Sequence, residues 1–454
     1  MSAKAILRSS CLFGLVLSFA LRVSAQAPPA PPPPGAPPED DVSVVLEGAV
    51  QAKLRLAFPA AERPGTLSPE VTAAADELEQ TLRDDLEETR VFEIQGPWAL
   101  QVLKLTGDPA RDILEYRSLG NQILLLATLS QDGSRVVFEG RVIDLNNGES
   151  VLGKRYRGTA PAARRIAHTF ADEVLRYLTG LRGIAQTSLA FVSNRSGYKE
   201  IYLMDYDGRN QRQLTSHRSI SMAPDWQVGN GGLVYLSFVA GQPGIYYADV
   251  ATGLKRPVVV DAEQNISPAM SPDGKQVAFA RSVGGNTDVY VTDIGGKNLR
   301  RLTSTPSIDT NPSWSPSGRE LAFTSSRTGQ PQIYVMDGNG DNVRRVTFDG
   351  DYNDGAVWHP EEPRIAYASR RGGVFQIAIT DLATGETYTL TSGAENHETP
   401  CFSPDGRRIA FSQRRGRSTQ IFVMDSDGSH VKQLTQDGDN SSPAWSFFVP
   451  EGRN

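Results

Sequence analysis

The chain has 454 residues, room for more than one domain, of which 39% are hydrophobic, and it carries a formal net charge of −6. An acidic balance of this size argues against nucleic acid or an anionic membrane surface as partner. Two cysteines and five histidines leave little material for a disulfide framework or a metal centre.

Lys4 and Arg8 precede an apolar run over 11–21, and Val23, Ser24 and Ala25 supply a small-residue cleavage site, so residues 1–25 read as a signal peptide. The run falls short of the roughly 20 residues that span a bilayer. Its removal takes Lys4, Arg8 and Arg22 and no acid, which moves the formal charge from −6 to −9. Cys11 leaves with it, without a lipoprotein-type cleavage pattern, and Cys401 is then alone. Residues 26–40 form a proline-dense linker that packs no core and serves as an extended spacer.

Residues 41–183 carry a mixed pattern that predicts a small α/β domain. Strands are expected at 42–46, 53–58 and 91–94, and a hairpin of 122–129 with 136–144 turns through Gln131, Asp132 and Gly133. Ser68 and Pro69 open a helix whose apolar face is Val71, Ala74, Leu78, Leu82 and Leu86. A second helix, 161–179, turns Ile166, Phe170, Val174 and Leu178 inward and stops at Gly180. His168 and Asp172 stand one helical turn apart and read as a local side-chain pair. No further His or Cys accompanies them, so a metal site is not indicated.

From residue 184 to 450 the chain says one thing six times. Short apolar runs end in Asp205, Asp249, Asp293, Asp337, Asp381 and Asp425, each 44 residues after the last. A period of this length, filled by four short strands and Gly/Asn turns, predicts a six-bladed β-propeller. The first repeat holds only strands B, C and D, and the last innermost strand, A, comes at the C-terminus. That strand is expected to complete the first blade and close the ring, leaving no free sheet edge. One register of strand A holds Trp226, Met270, Trp314, Trp358, Phe402 and Trp445. The same large residue in every blade suits packing between blades better than a ring of ligand-stacking aromatics. Cys401 lies on a strand A where other blades place Ala269, Ser313 and Ala444, which reads as a small buried side chain.

In a meander the D–A connections and B–C turns share one face of the disc. Just ahead of each strand A stand Ser221, Asn265, Asp309, Asn353, His397 and Asn440, all polar, followed by a mixed column that includes Thr310, Asp354 and Glu398. Both columns are expected to ring the channel mouth, either hydrating it or forming a docking funnel. Arginines gather in the B–C turns (Arg195, Arg327, Arg371, Arg414, Arg415) and read as solvated loops. There is no Gly-x-Ser-x-Gly elbow, no His-Glu-x-x-His and no phosphate loop. No enzyme, cofactor or metal is called for.

The repeats, with Asn311-Pro312-Ser313-Trp314-Ser315-Pro316 and Ser271-Pro272-Asp273-Gly274, resemble those of the TolB family, periplasmic components of the Tol-Pal system. The junction Ala167-His168-Thr169-Phe170-Ala171-Asp172-Glu173, followed by Leu178-Thr179-Gly180-Leu181-Arg182-Gly183, is similar to that family's, and the likeness covers about 41–450. The resemblance implies a periplasmic, monomeric, non-enzymatic adaptor that supports outer-membrane integrity and invagination during division. It implies that a Pal-like peptidoglycan-associated lipoprotein binds at the channel mouth, through Ser221, Asn265, Asp309, Thr310, Asn353, Asp354, His397, Glu398 and Asn440. It also implies that a TolA-like inner-membrane protein binds Asp41, Val42, Ser43, Val44, Val45, Leu46, Glu47 and Gly48. The alternatives are a secreted propeller hydrolase or lyase, or a propeller that binds an unrelated envelope protein. Two departures stand out: a proline-rich arm precedes the TolA-binding-like segment, and Trp226-Gln227 and Trp358-His359 lack the Ser-Pro-Asp-Gly turn, marking those blades as irregular.

Overall fold

The computed structural model describes residues 53–448; the expected signal peptide over 1–25, the expected linker over 26–40, the strand expected at 42–46 and residues 41–48 lie outside them. The N-terminal α/β part builds a five-stranded sheet, from β1 (Leu54–Ala57), β2 (Phe92–Gln95), β3 (Ile123–Asp132), β4 (Arg135–Asp144) and β5 (Glu149–Thr159), in the order β2-β1-β3-β4-β5. Helix α1 (Pro69–Glu88) starts as its sequence dictates: Ser68 caps it, accepting the Val71 N–H at 3.4 Å, with Pro69 at the first position. All five residues of its expected apolar face are buried, against the sheet and against helix α4 (Ala163–Thr179). At Gly140 of β4 an added Cβ would stand 2.4 Å from the Phe170 ring of α4, so only glycine lets helix and sheet approach there. Gly180 ends α4 in the left-handed region, at φ +75°. Two helices that the sequence pattern does not announce, α2 (Pro97–Leu100) and α3 (Pro109–Ser118), bring Leu100 and Tyr116 onto the other sheet face beside Leu124 and Leu145.

His168 and Asp172 are not partners of one another, which corrects the expected local pair. His168 Nδ1 lies 2.7 Å from Asp85 of α1, while Asp172 accepts the backbone N–H groups of Ala185 (3.0 Å) and Gln186 (3.2 Å). Successive turns of one helix here face different elements.

Among the described residues six four-stranded antiparallel sheets follow, each in the order A-B-C-D. Blade 1 takes its strand A from Asn440–Trp445, which pairs with Ser188–Ser193, so the C-terminal strand closes the ring. The tryptophans pack between blades. Trp226 is buried and donates through Nε1 to the Ala444 carbonyl of blade 1 at 3.0 Å, and Trp358 does the same to Ser313 of blade 4 at 3.0 Å. Blades 2 and 5 keep the four-stranded order despite their different turns, and blade 2 is irregular in one respect, a slip of the ladder between strands C and D at Ile245 and Tyr246. In blade 3 the Ser271 hydroxyl holds the A–B turn by accepting the Gln276 N–H at 2.9 Å, and in blade 5 His359 Nδ1 takes that role, accepting the Glu362 N–H at 2.9 Å.

The α/β part rests on the A–B and C–D turns of blades 6 and 1. Arg164 of α4 reaches Asp207 (2.7 Å) and Asp205 (3.4 Å), and the Tyr206 hydroxyl donates to Asp85 at 2.8 Å. Glu88 meets Lys432 (2.8 Å) and Arg408 (3.2 Å). The opposite face of the disc, with its D–A loops and B–C turns, is left to the channel mouth.

Candidate functional site at the channel mouth

Each strand A begins with the polar column singled out in the sequence, and the structure corrects its placement. Ser221, Asn265, Asp309, Asn353 and Asn440 are 0% exposed and His397 is 6% exposed, so none of the six side chains is displayed at the mouth. Asn353, His397 and Asn440 stitch their blades to the preceding one, while Asp309, Asn265 and Ser221 are held within their own blades. Gln420, at the head of strand C in blade 6, accepts at Oε1 from Thr435 Oγ1 (2.7 Å) and from Asn440 Nδ2 (2.8 Å) of the next strand A. Gln332 repeats this with Thr347 (2.7 Å) and Asn353 (2.8 Å), and Gln376 with Thr391 (2.7 Å) and His397 (3.0 Å). Asp309 instead takes Arg327 at 3.2 Å, and Asn265 accepts from Arg281 at 3.0 Å. A buried polar group needs such a partner, which is why every residue of this column is polar.

Of the second column, Asp354 and Glu398 line the channel, while Met222 packs on the core between blades 1 and 2. Thr310, Asp354 and Glu398 are half-buried, as are Met222, Ile266 and Ser441. Asp354 is held in place by Asn311 Nδ2 (2.6 Å), Thr324 Oγ1 (2.7 Å) and the Gly355 N–H (2.8 Å), all donating to Oδ1. The third column bends every strand A. Ala223, Ser267, Asn311, Gly355, Thr399 and Ser442 all lie in the left-handed region, with φ between +48° and +66°, and the ladder to strand B slips there in each blade. These bulges shift the alternation of side chains by one, so that buried and channel-facing positions exchange along the strand.

The six strands enclose a channel cavity of about 1040 Å³, lined by all six bulge residues and by Asp354 and Glu398 near the mouth. Deeper in, one register reads Asp225, Ala269, Ser313, Val357, Cys401 and Ala444. Asp225 is its sole ionisable carboxyl. It accepts the Met270 N–H at 2.6 Å, and burial pushes its pKa up to about 7. Sequence reasoning passed it over, although one acid in a register of small uncharged residues was a readable signal. Burial also pushes the Cys401 thiol up to about 12, as suits a packing residue rather than a nucleophile. Among the described residues no group of three or more His, Cys, Asp or Glu is set to hold a metal ion, and no helix is long and apolar enough to cross a membrane.

Comparison with known proteins gives a consistent picture. The family described as TolB beta propeller domain matches residues 175–449. The Protein TolB homolog of Chlorobium chlorochromatii is 33% identical over 198 residues, 43% of this chain and 45% of its own. The Tol-Pal system protein TolB of Geobacter metallireducens is 36% identical over 162 residues, 36% of this chain and 37% of its own. The matched stretch thus spans about half, or less, of these relatives' length. The crystal structure of TolB from Acinetobacter baumannii superimposes with a TM-score of 0.73 at 24% identity, covering 87% of this chain and 97% of that one, a likeness of fold.

Proposed function

The chain belongs to the TolB β-propeller family, which it matches over residues 175–449, and from that premise we propose that it is a non-enzymatic adaptor of a Tol-Pal system, exported to the periplasm. The propeller mouth receives a Pal-like peptidoglycan-associated lipoprotein. Residues 41–48, outside the described part, take a TolA-like inner-membrane protein by strand addition. Through these two contacts the protein serves outer-membrane integrity and invagination at division. The division into a signal peptide over 1–25, a linker over 26–40, an α/β domain over 41–183 and a propeller over 184–450 belongs to the same proposal.

The observation that supports this reading best is the mouth itself. Asp354 and Glu398 line the mouth end of a channel cavity of about 1040 Å³, Asn311 and Thr324 of the neighbouring blade hold Asp354 in place, and Thr310 stands in the same column. Rigid polar strand ends suit a preformed protein partner that docks with little rearrangement. His397 and the rest of the first column act in this proposal as the support behind that surface. The test is calorimetric titration of the mature protein with the periplasmic domains of both partners. Thr310→Ala with Glu398→Ala is expected to weaken the Pal-like contact at least tenfold, about 1.4 kcal/mol, and to spare the TolA-like one. Deleting 39–48 is expected to do the reverse. Equal losses for both partners in both variants would show that the two sites are not separate.

A further inference from the structure

Six similar blades present a partner with six nearly equivalent ways to sit, so the mouth face must break its own symmetry if docking is to be unique. It does so in its B–C hairpins. Those of blades 3, 5 and 6 have eight residues per strand and turn on two residues, whereas those of blades 1, 2 and 4 stop at six per strand. The hairpins are equally long, two eight-residue strands and a two-residue turn against two six-residue strands and a six-residue loop, so the tips differ in form: those of blades 3, 5 and 6 stay ladder-paired to the end, and those of blades 1, 2 and 4 open into loops. The ladder-paired tips of blades 5 and 6 carry Arg371, Arg414, Arg415 and Arg417, all exposed.

These arginines differ from their counterparts in other blades. Arg195 lies over Phe191 and Tyr202 and donates to Asn440 at 3.0 Å; Arg327 lies over Phe323 and Tyr334 and donates to Asp309 at 3.2 Å. Such residues rivet strand B to the head of strand A, which revises their reading as solvated loops. Arg371 and Arg415 have only single ion-pair contacts at 3.9 Å, to Asp349 and Glu395. The side chains of Arg414 and Arg417 reach no ionic or hydrogen-bond partner among the described residues. Across the mouth the D–A loops that lead into blades 2 to 4 expose Ile220, Val260 and Ile308, the last by 60%. One side of the rim is thus cationic and the other apolar, on a chain whose net charge is −6.

We propose that this polarity sets the rotational register of the docked partner. An acidic edge of the partner domain lies on the arginine tips of blades 5 and 6, and its apolar patch lies over the loops that lead into blades 2 to 4. The inference rests on the mouth as the docking site and adds to it the charge pattern that the partner must carry. A protein surface fits better than a membrane, because a chain of net negative charge is repelled by an anionic bilayer.

The experiment measures association and dissociation rates of the Pal-like periplasmic domain from the same genome against the mature protein, at several salt concentrations. Arg414→Glu with Arg415→Glu and Arg417→Glu is expected to slow association about tenfold at low salt and to flatten its salt dependence. Ile220→Ser with Ile308→Ser is expected to speed dissociation and leave the salt dependence unchanged. All these side chains are exposed, and a thermal melt confirms that each variant folds. An arginine variant that associates like the parent, while Thr310→Ala with Glu398→Ala still weakens binding, overturns the register and leaves the mouth assignment standing. If neither pair of mouth variants matters, the mouth assignment itself fails. Vesicles rich in phosphatidylglycerol are the second probe: capture by the parent and not by the arginine variant would assign the tips to lipid and overturn the proposal.

Discussion

At the scale of single residues, the buried amides at the blade junctions decide whether neighbouring blades hold together. Gln420 serves Thr435 and Asn440 with one oxygen, while its amide nitrogen donates to the Gly438 carbonyl at 2.8 Å. Gln420→Ala leaves these groups buried without their partner, and the expected loss is about 1–3 kcal/mol, read as a lower urea midpoint. An unchanged midpoint would mean that water replaces the amide without loss. The polarity of this column was legible in the sequence, but its direction was not. Alternation along a strand tells which residues share a face only if the strand is regular, and each strand A carries a bulge two residues after its buried polar residue. Nothing in Ala223 or Thr399 announces a left-handed backbone, a conformation that residues other than Gly, Asn and Asp seldom adopt. Asp225 escaped for a related reason, since its depth in the channel follows from the same bulge.

At the scale of elements, what the sequence announced most clearly was the 44-residue period and the strand that closes the ring. That strand lays Trp445 into the core of blade 1, with Nε1 donating to Thr187 Oγ1 at 2.8 Å. Truncation after Asn440 is therefore expected to abolish cooperative unfolding rather than trim the fold. Loss of the buried tryptophan alone costs about 3–5 kcal/mol, and a bare edge of strand B is left open to aggregation. A soluble truncated protein with a sharp melt would place ring closure elsewhere. The helices Pro97–Leu100 and Pro109–Ser118 were not legible. One is a single turn, shorter than any periodicity can reveal, and each is held by packing on the sheet rather than by its own propensity. The turn of blade 5 shows the reverse error: His359 looked like a departure, yet a ring nitrogen accepts a backbone N–H as well as a serine hydroxyl does.

At the scale of the whole molecule, the seat of the α/β part on the propeller is a buried charged cluster. Burial pulls the His168 pKa down, but hydrogen bonds to Asp205 and Asp85 outweigh burial and raise it to about 9, against the opposing charge of Arg164. A histidine whose folded pKa lies above its unfolded value of about 6.5 gives stability that is complete below that value and lost as pH rises through the folded one. Urea midpoints are thus expected to fall between pH 7 and pH 9.5, and His168→Gln is expected to lower the midpoint at pH 6 and remove most of that fall. A parallel decline in both proteins would assign the pH dependence to other groups. The closing strand carries a further consequence, one of timing. Ser188 N–H donates to Ser446 Oγ across 258 residues of chain, so the first blade to leave the ribosome must wait for the last strand before its sheet is complete. Contacts of such separation form slowly, after the intervening loop has been ordered. Until then the chain holds an incomplete first blade, an open intermediate whose lifetime is governed by the arrival of its final strand.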